Sequence, residues 1–351
     1  MANDKVSRKM RIVKKLLLAI VLLLIIALVK EVEQTVEVEG TLELVMFDVG
    51  QADCFYVRQG DYSILIDCAT SGQISGVLKR LKELGVEKLD FLILTHPHSD
   101  HMGGTAVVIN EYGQNIGTIF MPDYTQSIVT TAWQTNMQEA FLRRSGLEQE
   151  YLKEYSMWEK ECDALSSNKQ ARYISKKTDE FFVKNGCIVH PKVGDKLQFG
   201  EATIEFIAPN SEKYTNLNNY SIAFQLVFGD VSILFTGDAE VLSEKEMLQT
   251  GINLDSDILK IGHHGSNTSS SEEFLDAVSP KAVMISCKLG HDDENPDAEV
   301  VKRLEAKGYE VYRTDENGEV SMTTDGKQIF WSCKPGDYLS GVELAEKEAS
   351  K

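Results

Sequence analysis

Six residues constrain this chain more than any other stretch: His96-Pro-His-Ser-Asp-His101 follows directly on the apolar run of residues 89–95. A buried strand ending at Thr95 delivers three imidazoles and a carboxylate onto one sharp turn. Neutral imidazole and carboxylate suit Zn²⁺ and related transition metals. Four such groups in so short a stretch exceed what one ion accepts in good geometry, so the spacing predicts two neighbouring metals. Histidine is otherwise scarce, with 7 in the chain. His96, His98, His101, His263, His264 and His291 all lie in polar turns after apolar runs, and His190 alone reads as an ordinary surface or strand histidine.

The surrounding pattern is α/β. Strand-like runs at 42–47, 54–57 and 63–67 precede helical spacing over 74–84, a stop at Gly85 and a buried-type strand over 89–94. A second half opens with runs at 196–208, 222–228 and 231–236, the last two joined by a Gly229-Asp230 hairpin turn. Segments 258–261, 282–286 and a helix over 298–307 then alternate. Two sheets with helices on both outer faces account for this order. Residues 125–186 are polar, with Trp133, Tyr151, Tyr155 and Trp158 interspersed, and predict a helical insertion. It reads as a solvated segment held down by its aromatic rings.

The stretch Thr95-His-Pro-His-Ser-Asp-His-Met-Gly-Gly104 resembles the signature of the metallo-β-lactamase superfamily. Phe47-Asp-Val-Gly-Gln-Ala-Asp-Cys54, Leu234-Phe-Thr-Gly-Asp238 and Leu259-Lys-Ile-Gly-His-His-Gly-Ser266 are similar to elements of the branch containing the C-terminal, nuclease-like domain of the ComEC competence proteins. The resemblance implies a four-layer αββα sandwich over residues 40–335, and it gives the 125–186 insertion a second reading, as a lid over the site. It also implies His96 and His98 on one metal, Asp100 and His101 on a second, and Asp238 bridging them. His263 would be the inner histidine, a ligand or the acid that protonates the leaving group, with His264 its partner. Catalysis would involve Asp100, His263 and His264. Asp48 and Gln51 are candidates to orient metal ligands, and Asp53 a further one, because metal-bound imidazoles need hydrogen-bonded support. Asn218 and Ser221 match the branch's N-x-x-S element where other members carry a histidine. An amide oxygen is the weaker zinc ligand, so that metal would be loosely held or Mn²⁺ rather than Zn²⁺. Ser266 and Thr268 offer hydroxyls to a phosphate oxygen. The chain departs from the branch at its G-H-P element, where Asn295 stands in place of the histidine and His291 lies four residues upstream.

The implied activity is metal-dependent hydrolysis, first of a phosphodiester, with an ester, lactone or thioester as the alternative and a non-catalytic metal-containing sensor as a reading of another class. Formal charge is −18, from 54 acidic and 36 basic residues. An acidic body repels polyanions, so no strong nucleic-acid-binding surface is expected. Lys5, Arg8, Lys9, Arg11, Lys14 and Lys15 precede an uninterrupted apolar run over 16–29. That layout predicts an uncleaved membrane anchor with the domain outside, or a signal sequence cleaved to release it. The six cysteines form no C-x-x-C pair, which argues against a zinc ribbon. Residues 336–351 read as a polar tail.

Overall fold

The computed structural model describes residues 39–125 and 132–350. The basic leader and its apolar run lie outside the described residues, among which no helix is long and apolar enough to cross a membrane.

In the first half, strands β1 (Leu42–Met46), β2 (Phe55–Gln59) and β3 (Tyr62–Ile66) lead into helix α1 (Ile74–Glu83) and β4 (Leu89–Ile93). Helices α2 (Ser99–Met102) and α3 (Thr105–Tyr112) and strand β5 (Ile116–Phe120) follow. Three insertion helices come next, α4 (Ala132–Ser145), α5 (Glu148–Cys162) and α6 (Ser167–Lys184). The second half runs β6 (Lys196–Phe199), β7 (Ala202–Ala208), β8 (Ala223–Phe228), β9 (Val231–Phe235), α7 (Val241–Gln249), β10 (Ile258–Lys260), α8 (Glu272–Val278) and β11 (Ala282–Ile285). It closes with α9 (Ala298–Lys307), β12 (Glu310–Arg313), α10 (Thr314–Asn317), β13 (Val320–Thr324), β14 (Ile329–Trp331) and α11 (Gly341–Ala349). The stretch read as a polar tail thus carries a helix, started by a Ser340/Glu343 capping box and anchored by buried Leu344.

Two seven-stranded sheets result, in the orders β14-β13-β1-β2-β3-β4-β5 and β12-β11-β10-β9-β8-β7-β6. Pairing is parallel from β3 through β5 and from β9 through β12, and antiparallel elsewhere. The period-2 alternation of strand side chains divides the core into layers. In β1, Leu42, Leu44 and Met46 face the second sheet, where they join Phe206, Phe224 and Phe235 in the central layer. Phe55 meets Phe235 edge to face, with ring centroids 5.6 Å apart. On the outer face of the first sheet, Ile74, Val77, Leu78 and Leu81 of α1 follow the i, i+3, i+4, i+7 rule and pack on Leu65, Leu89 and Leu92. Phe141, Tyr151, Trp158, Phe181 and Phe182 of the insertion join the same layer. The insertion's rings therefore fasten it to the sheet. His190 reinforces the attachment, its Nδ1 2.7 Å from the Met121 carbonyl and its Nε2 3.0 Å from Asp179 on α6. The opposite outer layer joins Leu234, Leu259 and Val283 to Met247, Phe274, Val300 and Leu304.

The Gly229 turn between β8 and β9 has φ +62, and a Cβ there would stand 2.6 Å from the Gly326 carbonyl oxygen. Only glycine fits without displacing that backbone. Because β3, β4, β9, β10 and β11 are parallel to a neighbour, their carboxyl ends gather at one edge of the sandwich, the position where open α/β sheets place their sites.

Candidate metal centre

Each of those strand ends contributes polar groups. β3 gives Asp67, β4 the 96–101 turn, β9 Asp238, β10 the 260–264 segment and β11 the Ser286 carbonyl. Asp100, His101, Asp238 and His264 present ligand atoms all within 4.8 Å of one another. Asp238 is the hub: its Oδ2 lies 3.2 Å from His101 Nε2, 3.6 Å from His96 Nε2, 3.7 Å from His264 Nε2 and 3.9 Å from His263 Nε2. Asp100 Oδ2 stands 3.6 Å from His101 Nε2 and 3.4 Å from His264 Nε2. His96 Nε2 and His98 Nδ1 face each other at 3.0 Å.

The imidazole tautomers follow from what each ring touches on its far side. The Asp67 carboxylate, wholly buried, accepts from the Thr95 amide and hydroxyl and sits 2.7 Å from His101 Nδ1. The Ser286 carbonyl is 2.8 Å from His264 Nδ1. A carboxylate and a carbonyl only accept, so both Nδ1 atoms carry hydrogen and both Nε2 lone pairs point inward. Those lone pairs meet carboxylate oxygens, an arrangement that repels itself unless a cation stands between. Consistently, His101 Nε2, His264 Nε2 and Asp238 Oδ1 are buried with no hydrogen-bond partner. Burial works against charge on His101 and His264, but Asp238 with Asp67, and Asp238 with Asp53, outweigh it and hold both imidazoles above their ordinary range. The reverse applies to Asp238 and Asp100, where burial opposes ionisation but His101 and His264 hold both carboxyls below theirs. Burial, with no comparable carboxylate compensation, leaves His96 and His98 neutral and available as ligands.

Several groups sit differently from the sequence expectation. His264 occupies the inner position assigned to His263; it is buried, whereas the His263 side chain is 28% exposed at the rim. The reason is conformational: both residues adopt left-handed backbone, φ 51 and φ 54, which turns successive side chains in a way no spacing rule conveys. His263 Nδ1 lies 2.9 Å from Thr268 Oγ1, which in turn meets Ser266 Oγ at 3.1 Å, so these hydroxyls border the rim. Asp48 does not join the cluster; among the described residues it accepts from Gly50 N within its own loop. Gln51 uses its Oε1 on the Lys288 amide, and its Nε2 is buried without a partner. Ser221 Oγ accepts from Asp238 N at 3.0 Å, holding that aspartate's backbone rather than the metal cluster itself. His291 stays in its own loop beside Asp293. Asn295 is buried behind the cluster, next to Pro296, which packs on Gly265.

Two groups escaped the sequence reading. One is Asp67, an acid closing the apolar run of β3. The other is Lys260, which alternation places on the inner face of β10 and which is 1% exposed. Its Nζ lies 2.6 Å from Asp53 Oδ2 and 3.9 Å from Asp238 Oδ1. A charged residue at the end of an otherwise apolar strand run was the available signal in both cases.

Against this geometry, the family model "Metallo-beta-lactamase superfamily" matches residues 47–119 and 138–291, well over half of the chain. The chain belongs to the metallo-beta-lactamase superfamily. Among curated relatives, ComE operon protein 3 of Bacillus subtilis is 25% identical over 84% of this chain and 34% of its own length. Competence protein ComA of Neisseria gonorrhoeae is 27% identical over 80% of this chain and 32% of its own length. This chain thus spans about a third of those relatives. Among solved structures, the metallo-beta-lactamase fold protein YhfI of Bacillus subtilis has a TM-score of 0.44 at 12% identity, covering 84% of this chain and all of that one. The superfamily assignment makes this a metal-dependent hydrolase fold related to competence proteins, and the ligand set fits a dinuclear metal site.

Proposed function

We propose that this superfamily member is a phosphodiesterase that works with two divalent cations, Zn²⁺ or, at the His96/His98 side, Mn²⁺. The observation that carries the proposal is the inward convergence of imidazole lone pairs and carboxylates on Asp238, with orphaned buried atoms on three of the groups. His96 and His98 would hold one cation, Asp100, His101 and His264 the other, and Asp238 both. Such a pair, when bound, lowers the pKa of water and stabilises charge on attacking and leaving oxygens. The chain's own residues do the rest. Asp67 and the Ser286 carbonyl fix ring orientation, Lys260 neutralises Asp53, and His263, exposed at the rim and bonded to Thr268, is placed to hold or give up a proton at Nε2. Relationship to competence proteins favours a phosphodiester over a carbonyl substrate. The −18 charge favours a small or wall-associated phosphodiester over long nucleic acid. The leader's layout supports attachment to the cell membrane with the domain outside.

The test is hydrolysis of bis-p-nitrophenyl phosphate by the full chain with Mn²⁺ or Zn²⁺, beside Asp100→Ala. Metal-dependent turnover lost in the variant is expected. Turnover of aryl esters alone would replace the reading with carbonyl hydrolysis, and turnover of neither by metal-loaded protein would leave a sensor domain.

A further inference from the structure

Glu240 follows Asp238 by two residues and is the N-cap of α7, yet its carboxylate turns away from the helix it precedes. Three asparagine amides converge on it: Asn216 Nδ2 at 2.9 Å, Asn218 Nδ2 at 3.2 Å and Asn219 Nδ2 at 3.2 Å. Two of these amides are also fixed by main chain. Asn216 Oδ1 accepts from Asn218 N, and Asn219 Oδ1 accepts from the amides of Glu240 and Ser243. Asn218 differs. Its NH₂ meets the carboxylate, while its Oδ1 is buried with no partner. A buried acceptor left empty is unfavourable, and this one lies beside the metal cluster, so it points to a ligand there. The 217–220 turn that carries it runs directly into Ser221, which holds Asp238 N, and Ile222, whose amide bonds the Thr95 carbonyl just before His96. The Asn218 amide nitrogen also lies 3.4 Å from the His263 ring.

We propose that Glu240 is a positioning residue for the metal centre: by accepting only, it forces the Asn218 NH₂ outward and leaves Oδ1 free to complete the ligand set of His96 and His98. Without that carboxylate, the His263 ring, 3.4 Å from the amide nitrogen, is the contact left to oppose a turn of the NH₂ toward the cation position, where it would be repelled. Three hydrogen bonds to one carboxylate make the orientation rigid, and the arrangement biases this position toward a cation that tolerates oxygen ligands. The inference rests on the two-cation reading above.

The experiment is a metal titration of the full chain, with Mn²⁺ and Zn²⁺ separately, comparing wild type, Glu240→Ala, Glu240→Gln and His98→Ala, alongside melting of each metal-free protein. The expected result is two equivalents for wild type. In Glu240→Ala one equivalent should weaken about 10- to 100-fold, the same one that His98→Ala removes. Glu240→Gln should fall between, since its own oxygen can still accept from one amide. Two equivalents at unchanged affinity in Glu240→Ala would overturn the proposal, as would equal weakening of both with a lower melting temperature, which is the mark of a merely structural role. A wild-type chain that binds no metal would instead sink the two-cation reading itself.

Discussion

Replacing Asp67 with Asn isolates one hydrogen in the centre. The substitution is isosteric, and both Thr95 contacts survive it: the amide can still donate to Oδ1, and the hydroxyl, now 2.7 Å from an NH₂, can turn to accept. His101 cannot adapt so cheaply. Its Nδ1 stands 2.7 Å from the changed group and must become the acceptor, which moves the ring hydrogen to Nε2. That hydrogen then points at Asp238 Oδ2, 3.2 Å away, and occupies the lone pair that the cation needs. Disrupting such a supporting contact costs about 10- to 100-fold in metal affinity, roughly 1.4–2.8 kcal/mol. The loss should fall on the equivalent bound by Asp100, His101 and His264 and spare the one at His96 and His98. Calorimetric titration with Zn²⁺ resolves the two. Wild-type affinity at both positions would refute the tautomer argument, and equal loss at both would mean that Asp67 acts on the fold rather than on His101.

Lys260→Met leaves Asp53 buried without its cation, a loss of about 3–5 kcal/mol that should lower melting by on the order of 10 °C; adding Asp53→Asn should recover much of it, and an unchanged single variant would contradict the ion pair. In the metal-free protein His101 and His264 should stabilise the fold on the acid side of neutrality, while His96 and His98, held neutral by burial, oppose them there. His101 and His264 titrate above 6.5 when folded, so their contribution is full below that value and lost as pH rises through the raised values; Asp100 and Asp238 titrate below 3.8, so theirs is present above it and lost as pH falls. Chelated protein melted across the pH range beside His101→Gln/His264→Gln checks this: the variant should lose stability mainly on the acid side, and a loss confined to alkaline pH would reverse the assigned signs.

The layers were legible because they obey periodicity. Residues 74–84 were expected to be a helix ending at Gly85, and α1 covers Ile74–Glu83 with Gly85 at φ +73. The 89–94 run became β4, and the Gly229-Asp230 turn joins β8 to β9 as expected. Residues 196–208 read as one run but split at Gly200, which has φ +59 and lets β6 fold back on β7. The turn of 96–101 announced its chemistry by composition alone. What spacing could not convey was side-chain direction after a left-handed residue, hence the exchange of His263 and His264. Nor could it convey partners far apart in sequence, such as Lys260 with Asp53 or Ser286 with His264, which only the closing of two sheets brings together.

The same closing explains why the centre is charged and yet buried. Asp53, Asp67 and Asp238 are each no more than 3% exposed, and among the described residues Lys260 is the one lysine at this end of the sandwich that contacts them. One ammonium cannot offset three buried carboxylates and the partly buried Asp100 beside them. The raised values of His101 and His264 act in the same direction, since each ring lies where carboxylate oxygens converge. A cation bound there would find both rings already oriented by the Asp67 and Ser286 contacts. The centre is thus preorganised by its backs rather than its faces: what decides whether metal binds well is the row of acceptors behind the histidines, most of which a list of metal-binding residue types would omit.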